Sequence, residues 1–473
     1  MKSTTLWLNN PIQRSYVPFL FFALVLASFA GGAEAADSSD TAYGAFALYA
    51  ITTGTWDTAI GYDALRFTAD GTDNTGVGAL VLHQNVSGND NTATGYSALY
   101  NNTGDDNTAT GWSALYQNTS GFGNTATGLA ALYGNTTGGQ NTATGFAALY
   151  QNNAGNNTAD GFQALYTNVT GSQNTATGVG ALFSNNSGNY NTAAGAGALS
   201  GNVSGSNNTA NGINVLYYNT ASNNTGYGAN ALENNTTGTN NTAAGYDALL
   251  ANNTASNNTG AGFQTLLHNT GSNNIAIGSN AGSSLTTGSN NIDIGALGST
   301  GESNAIRIGK SGTQNKTFIA GISGKTVASG VGVIIGANGQ LGTVQSSARY
   351  KDDIRPMATT SESILKLKPV TFRYKQEFDP DKIPQFGLIA EDVEKVNPDL
   401  VVRDENGKVM TVRYEAVNAM LLNEFLKEHR KVQEQGATIA KQQKQIEALI
   451  AGLQKVTAQV EAANSVSRVV SDN

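Results

Sequence analysis

A glycine returns every sixteen or seventeen residues between Gly44 and Gly295, passing through Gly61, Gly78, Gly95, Gly111, Gly128, Gly145, Gly161, Gly178, Gly195, Gly212, Gly228, Gly245, Gly262 and Gly278. A period this short, held over so many units, marks repeats that bury a face only against their neighbours. The expected fold class is therefore mainly β, with a parallel β-solenoid or β-roll shaft over residues 36–300. Each unit reads Asn-Thr-Ala-x-Gly-x-x-Ala-Leu-Tyr-x-Asn, as at 91–102 and 141–152. Asn-Thr-Ala-x favours a strand, and the glycine supplies a backbone conformation that other residues resist, so a corner follows the strand.

After the corner come a frequent aromatic (Tyr96, Trp112, Phe146, Phe162, Tyr246), then Ala-Leu, then a second aromatic (Tyr100, Tyr116, Tyr133, Tyr150, Tyr166, Phe183). Apolar offsets of one, four and five from the glycine fit one helical turn or a second, bulged strand. Leu99, Leu115, Leu132, Leu149, Leu165 and Leu182 are the expected core. The Asn and Thr columns admit a structural role, with side chains hydrogen-bonded to their counterparts above and below. A hydroxyl ladder that orders water is a second reading, spoiled where Thr gives way to Asp160, Asn211 and Tyr227. A glycan-binding aromatic stripe is a third, although rings beside Leu more often pack than stand free.

Charge is divided unevenly. From residue 36 to 300 the chain has one basic residue, Arg66, against thirteen acidic ones, whereas beyond 300 it has 23 basic and 20 acidic. Such a shaft offers no phosphate-binding footprint, so nucleic acid is excluded as a partner. The absence of cysteine removes disulfide scaffolds, thiol catalysis and cysteine zinc sites. Neither a metal nor a cofactor is expected.

Residues 1–35 read as an export signal: Lys2 and Arg14 precede the apolar run Val17 to Phe29, and Ala33-Glu34-Ala35 gives the small-x-small pattern before Ala36. An uncleaved N-terminal anchor is the alternative. The mature chain is expected to be secreted or at the cell surface, without a transmembrane segment.

The units Asn-Thr-Ala-x-Gly and Asn274-x-Ala-Ile-Gly278 resemble the head repeats of trimeric autotransporter adhesins. That resemblance implies a β-roll of three packed chains. The membrane-anchor barrel of those adhesins has no counterpart in the polar Ser471-Asp472-Asn473 end. Residues 301–345, with Ile306-Arg307-Ile308, Thr317 to Ile322 and Val331 to Ile335, are expected to form a β-rich neck.

Composition changes at Ser346. Ser346-Ser347-Ala348-Arg349-Tyr350-Lys351-Asp352-Asp353-Ile354, Leu365 to Tyr374, Gly387 to Val393, Pro398 and Val412-Arg413-Tyr414 follow in order. Together they resemble the intramolecular chaperone of phage endosialidases and tail spikes, the S74 peptidase family, over residues 346–428. The resemblance implies a small α+β, trimeric chaperone that assembles the upstream β-structure and then cuts itself off. It also implies that Ser346 is the nucleophile, helped by Lys351, with cleavage between Gln345 and Ser346. Ser347 stands where the family commonly has Asp. A serine hydroxyl needs a base, and a lysine serves when burial leaves it a neutral amine. The plain alternative is a linker beside a solvated lysine. A Ser-His-Asp triad is excluded, since His83, His268 and His429 all lie far from Ser346 in sequence.

From 429 to 473 the chain is expected to form an α-helical coiled coil and tail. Phe425, Val432, Ile439, Ile446, Leu453 and Val460 recur every seven residues, with Leu421, Leu449, Val456 and Ala463 at the complementary offset and Gln435 and Gln442 in the same seam. These readings converge on an exported homotrimeric, adhesin-like fibre that is at most a self-cleaving serine endopeptidase. Its external partners would be surface glycans or host-cell receptors. The alternatives are a tail-spike-like glycan-binding protein or an uncleaved structural surface protein. Glycan cleavage is disfavoured, because Asp57, Asp63, Asp70, Asp160 and Asp247 are scattered and no insertion gathers a pair.

Overall fold

The computed structural model describes residues 39–470 except 315, 321, 323–330, 337 and 405. The expected leader at 1–35 lies outside the described residues. The chain divides into two compact units, with the division between Phe318 and Ile319.

The first unit is a parallel β-solenoid. Seventeen three-residue strands, from β1 (Thr41–Tyr43) to β17 (Ile306–Ile308), each pair in parallel with the next. Register is strict: in β4 (Thr92–Thr94) and β5 (Thr108–Thr110), Thr92 faces Thr108, Ala93 faces Ala109 and Thr94 faces Thr110. The sheet continues past residue 300, because Ile306–Ile308 still pairs with Ile292–Ile294. Alternation along an extended strand sends the central Ala inward and leaves both threonines in solvent.

The corner glycine is required by crowding as well as by conformation. Gly111 has φ +139°, and a Cβ there would sit 2.4 Å from the carbonyl oxygen of Gly128 in the next coil. Beyond the corner the chain forms neither a helical turn nor a strand. Alternate residues adopt the left-handed region, Ser97 at φ 53° and Leu99 at φ 51°, while the inter-coil hydrogen bonds continue, with Leu99 N–H donating to Ala114 O at 2.9 Å. Local apolar spacing cannot reveal this, since the φ alternation is held by the coils above and below. The Leu column is fully buried, as are the Ala residues before it and in the strands.

The third side of each coil is held by two buried asparagine columns. Asn107 donates from its backbone N–H and from Nδ2 to Asn91 Oδ1 at 3.0 and 3.2 Å. Asn118 Nδ2 donates to Asn102 Oδ1 at 2.6 Å. Both amides also converge on Gly121 O, at 2.9 and 2.8 Å. A solenoid this narrow has little apolar area per coil, so these bonds replace core volume as the specifying contacts.

In the second unit, β18 (Val333–Ile335) and β19 (Leu341–Thr343) form a hairpin, and β20 (Val370–Phe372) pairs antiparallel with β21 (Gln385–Gly387). The helix α1 (Ala390–Val396) and the pair β22 (Val401–Arg403) and β23 (Val409–Val412) complete a small α+β body. Its core is Ile364, Val393, Leu400, Val401, Val412 and Met420. Met420 comes from α2 (Tyr414–Val470), a 57-residue helix. Farther along α2 the seven-residue apolar seam is exposed, with Ile439 at 64% and Leu453 at 70%. Among the described residues no helix is long and apolar enough to cross a membrane.

Candidate functional site

Ser346 follows β19 by three residues and precedes a single 3-10 turn, Ala348–Tyr350. In that turn Tyr350 N–H donates to Ser347 O and Lys351 N–H to Ala348 O, each at 3.1 Å. The reversal returns Lys351 toward its start, where Nζ donates to Ser346 Oγ at 3.4 Å. Gln345, Ser346 and Lys351 are all exposed. A serine beside an amine is the minimum set for nucleophilic attack, with the proton flow reversed from the bond seen here.

The turn Thr360–Lys366 is tied to α2 by contacts that sequence reasoning missed. Asn423 Nδ2 donates to Ser361 Oγ at 2.7 Å, and Ser361 Oγ donates to Glu424. Lys427 pairs with Glu424 at 2.7 Å and with Glu362 at 3.2 Å. The Lys427 hydrogen bond, then that from Ser361, holds the Glu424 carboxyl below its usual value. The partners lie some sixty residues apart, and no local pattern announces such a pairing. Beside them an apolar groove of about 490 Å3 is lined by Ile364, Leu367, Val370, Phe386, Leu388 and Leu421.

On the shaft the two aromatic columns differ. Tyr100, Tyr116, Tyr133, Tyr150, Tyr166 and Phe183 stack ring on ring, with centroids 5.0 to 5.2 Å apart and planes within 5 to 13°. Their faces cover one another, so only edges remain for a ligand. The column directly after the glycine is exposed, against the expectation that such rings pack. Its side chains leave the coil at the corner, outside the Ala-Leu core.

His83 belongs to this stack, 4.7 Å from Tyr100, and burial pushes its pKa down. His429 lies on α2, with Nε2 3.1 Å from Gln433 Nε2. Of the scattered acids, Asp63 pairs with Arg66 at 3.0 Å, Asp247 accepts from Asn230 at 3.1 Å, and Asp57 is buried in the asparagine column.

Residues 346–402 match the S74 peptidase family, described as the chaperone of endosialidase, and the match starts at Ser346. No curated protein and no solved structure matches this chain. The C-terminal unit thus carries an S74 chaperone domain, and it follows a β-solenoid shaft as in a tail-spike-like fibre.

Proposed function

We propose that the protein is an exported homotrimeric, adhesin-like fibre whose C-terminal module brings three shafts into register and then releases itself at the Gln345–Ser346 bond. The observation that carries this reading is the family match starting at Ser346, the residue whose Oγ accepts from Lys351 Nζ. With the lysine amine neutral, it takes the Ser346 hydroxyl proton while Oγ attacks the Gln345 carbonyl carbon. The C–N bond breaks, the new Ser346 amine gains the proton, and water hydrolyses the resulting ester, leaving a Gln345 carboxylate.

Both side chains are open to solvent in the single chain, and on this reading neighbouring copies in the trimer cover them. The exposed α2 seam, together with Phe386 at 81% on the apolar groove, supports such assembly. Wild type yields the fragment 346–473, of 128 residues, whereas Ser346→Ala and Lys351→Ala each leave one full-length band. Cleavage of Ser346→Ala, or N-terminal sequencing that finds another start, removes the dyad.

Binding of surface glycans by the shaft is the second reading, favoured by the exposed aromatic rings Tyr96, Trp112, Phe146 and Phe162. A glycan array on the released shaft tests it.

A further inference from the structure

The column that immediately follows the corner glycine is an exposed apolar stripe on the shaft. Over six consecutive coils it presents Tyr96, Trp112, Leu129, Phe146, Phe162 and Val179, between 43% and 58% exposed. Tyr62, Ile213, Tyr246 and Phe263 extend it toward both ends. No charged residue occupies this position in any coil from Gly44 to Gly295.

We propose that this column is the contact by which shafts of the same chain pack side by side, parallel and in register, in the trimer. The inference rests on the homotrimer reading and adds where the shafts touch. Ten half-exposed side chains of this size offer about 100 Å2 each, or about 1000 Å2 per chain. A threefold assembly divides this area between two neighbours, about 500 Å2 at each contact, against about 800 Å2 per partner in a standard interface, so the column acts together with the α2 seam. The spacing selects the occupant. One apolar side chain per coil, repeating at about 4.8 Å, is matched along its length by a surface with the same repeat. A second copy of this chain has that repeat, and threefold symmetry about the shaft axis makes the copies parallel. Ring planes in the column lie within about 10° of one another where neighbours are both aromatic, as for Tyr96 with Trp112 and Phe146 with Phe162.

The native chain has no cysteine, which permits a single-site test on the full-length protein. Ala196→Cys places a thiol in the column, at its small exposed member. Ser187→Cys places one on the exposed return segment of the same solenoid stretch. Assembly is measured by analytical ultracentrifugation, contact by oxidation followed by a denaturing gel, and exposure by maleimide labelling after oxidation.

The expected result is a trimer in which Ala196→Cys runs mainly at doubled mass and resists maleimide labelling, while Ser187→Cys labels freely. A trimer in which Ala196→Cys stays unlinked and reactive overturns the interface and leaves the trimer standing, with the column open to a ligand such as a glycan. A monomer overturns both. Should Ala196→Cys fail to fold, Ala229→Cys, two coils on in the same column, repeats the measurement with the same outcomes.

Discussion

Replacing Asp57 by Asn should stabilise the shaft at neutral pH and leave it unchanged in acid. Asp57 stands in the asparagine column one coil before Asn74. Its Oδ1 does what Asn91 Oδ1 does for Asn107, accepting from Asn74 N–H at 2.9 Å and Nδ2 at 3.1 Å. Its Oδ2 is fully buried and has no partner. A Cβ on Gly71 would lie 3.2 Å from Asn74 Nδ2 and 2.5 Å from Gly88 O, and a Cβ on Gly54 would lie 3.2 Å from Asp57 Oδ2 and 2.3 Å from Gly71 O. Oδ2 therefore sits in the amide's slot beside a carbonyl, where only a protonated oxygen can donate. Burial, reinforced by the Asp40 and Asp73 charges, pushes the pKa from 3.8 to about 6.

A carboxyl whose pKa is raised on folding favours the folded state most when both states are protonated. Stability is full below about pH 4, falls between about 4 and 6 as the unfolded chain ionises first, and stays low above 6. The shift is worth about 3 kcal/mol at most. Asp57→Asn supplies a permanent Nδ2 donor, so its gain over wild type should be near zero at pH 4 and approach that figure at pH 7.5. Thermal unfolding at both pH values reads the difference, with hydrogen exchange of residues 41–60 isolating the end coils. A gain that is the same at both pH values, or a loss at pH 7.5, refutes the reasoning. Asp293, buried in the alanine column at the other end and pushed up to about 6 by burial and by Glu302, should leave a residual slope of the same sign in Asp57→Asn.

Asn118→Ala removes two donated bonds and the acceptor of Asn135 Nδ2, which bonds it at 2.8 Å. It should cost about 3 kcal/mol in unfolding, and a change within about 0.5 kcal/mol would show the ladder to be incidental. The double change Ile439→Asp and Ile446→Asp puts charges into the α2 seam and should abolish trimerisation of the full chain. A mutant that sediments as a trimer refutes the coiled-coil assignment. If cleavage depends on assembly, the same mutant should also lose the 346–473 fragment.

The solenoid was legible because a fixed glycine period and a buried Leu every coil have one economical solution. The structural reading of the Asn columns also fits what Asn107 and Asn118 do. The side after each glycine was not legible, since offsets of one, four and five carry no information on the sign of φ at Ser97 and Leu99. Offset alone does not separate the two aromatic columns by exposure: Tyr116 is half-buried while Trp112 is exposed, because the corner turns four residues into a change of side. Asp57 carries a readable signal: an acid in an Asn register is a change of proton demand, visible by aligning the repeats. In the C-terminal unit, Ser346 and Lys351 came from the resemblance to the S74 family, whereas the Ser361–Glu424 tie depends on how α2 packs against a distant turn.

The most direct measurement compares shafts made with and without residues 346–473. If the module nucleates assembly, the gene truncated after Gln345 gives aggregated chains, while the same shaft released from the full-length protein after folding stays soluble, ordered and trimeric. The long-range stacking of a solenoid poor in apolar area makes unaided assembly slow and exposed to aggregation. A truncated gene that yields the same soluble trimeric rod, by sedimentation and circular dichroism, contradicts the chaperone role outright.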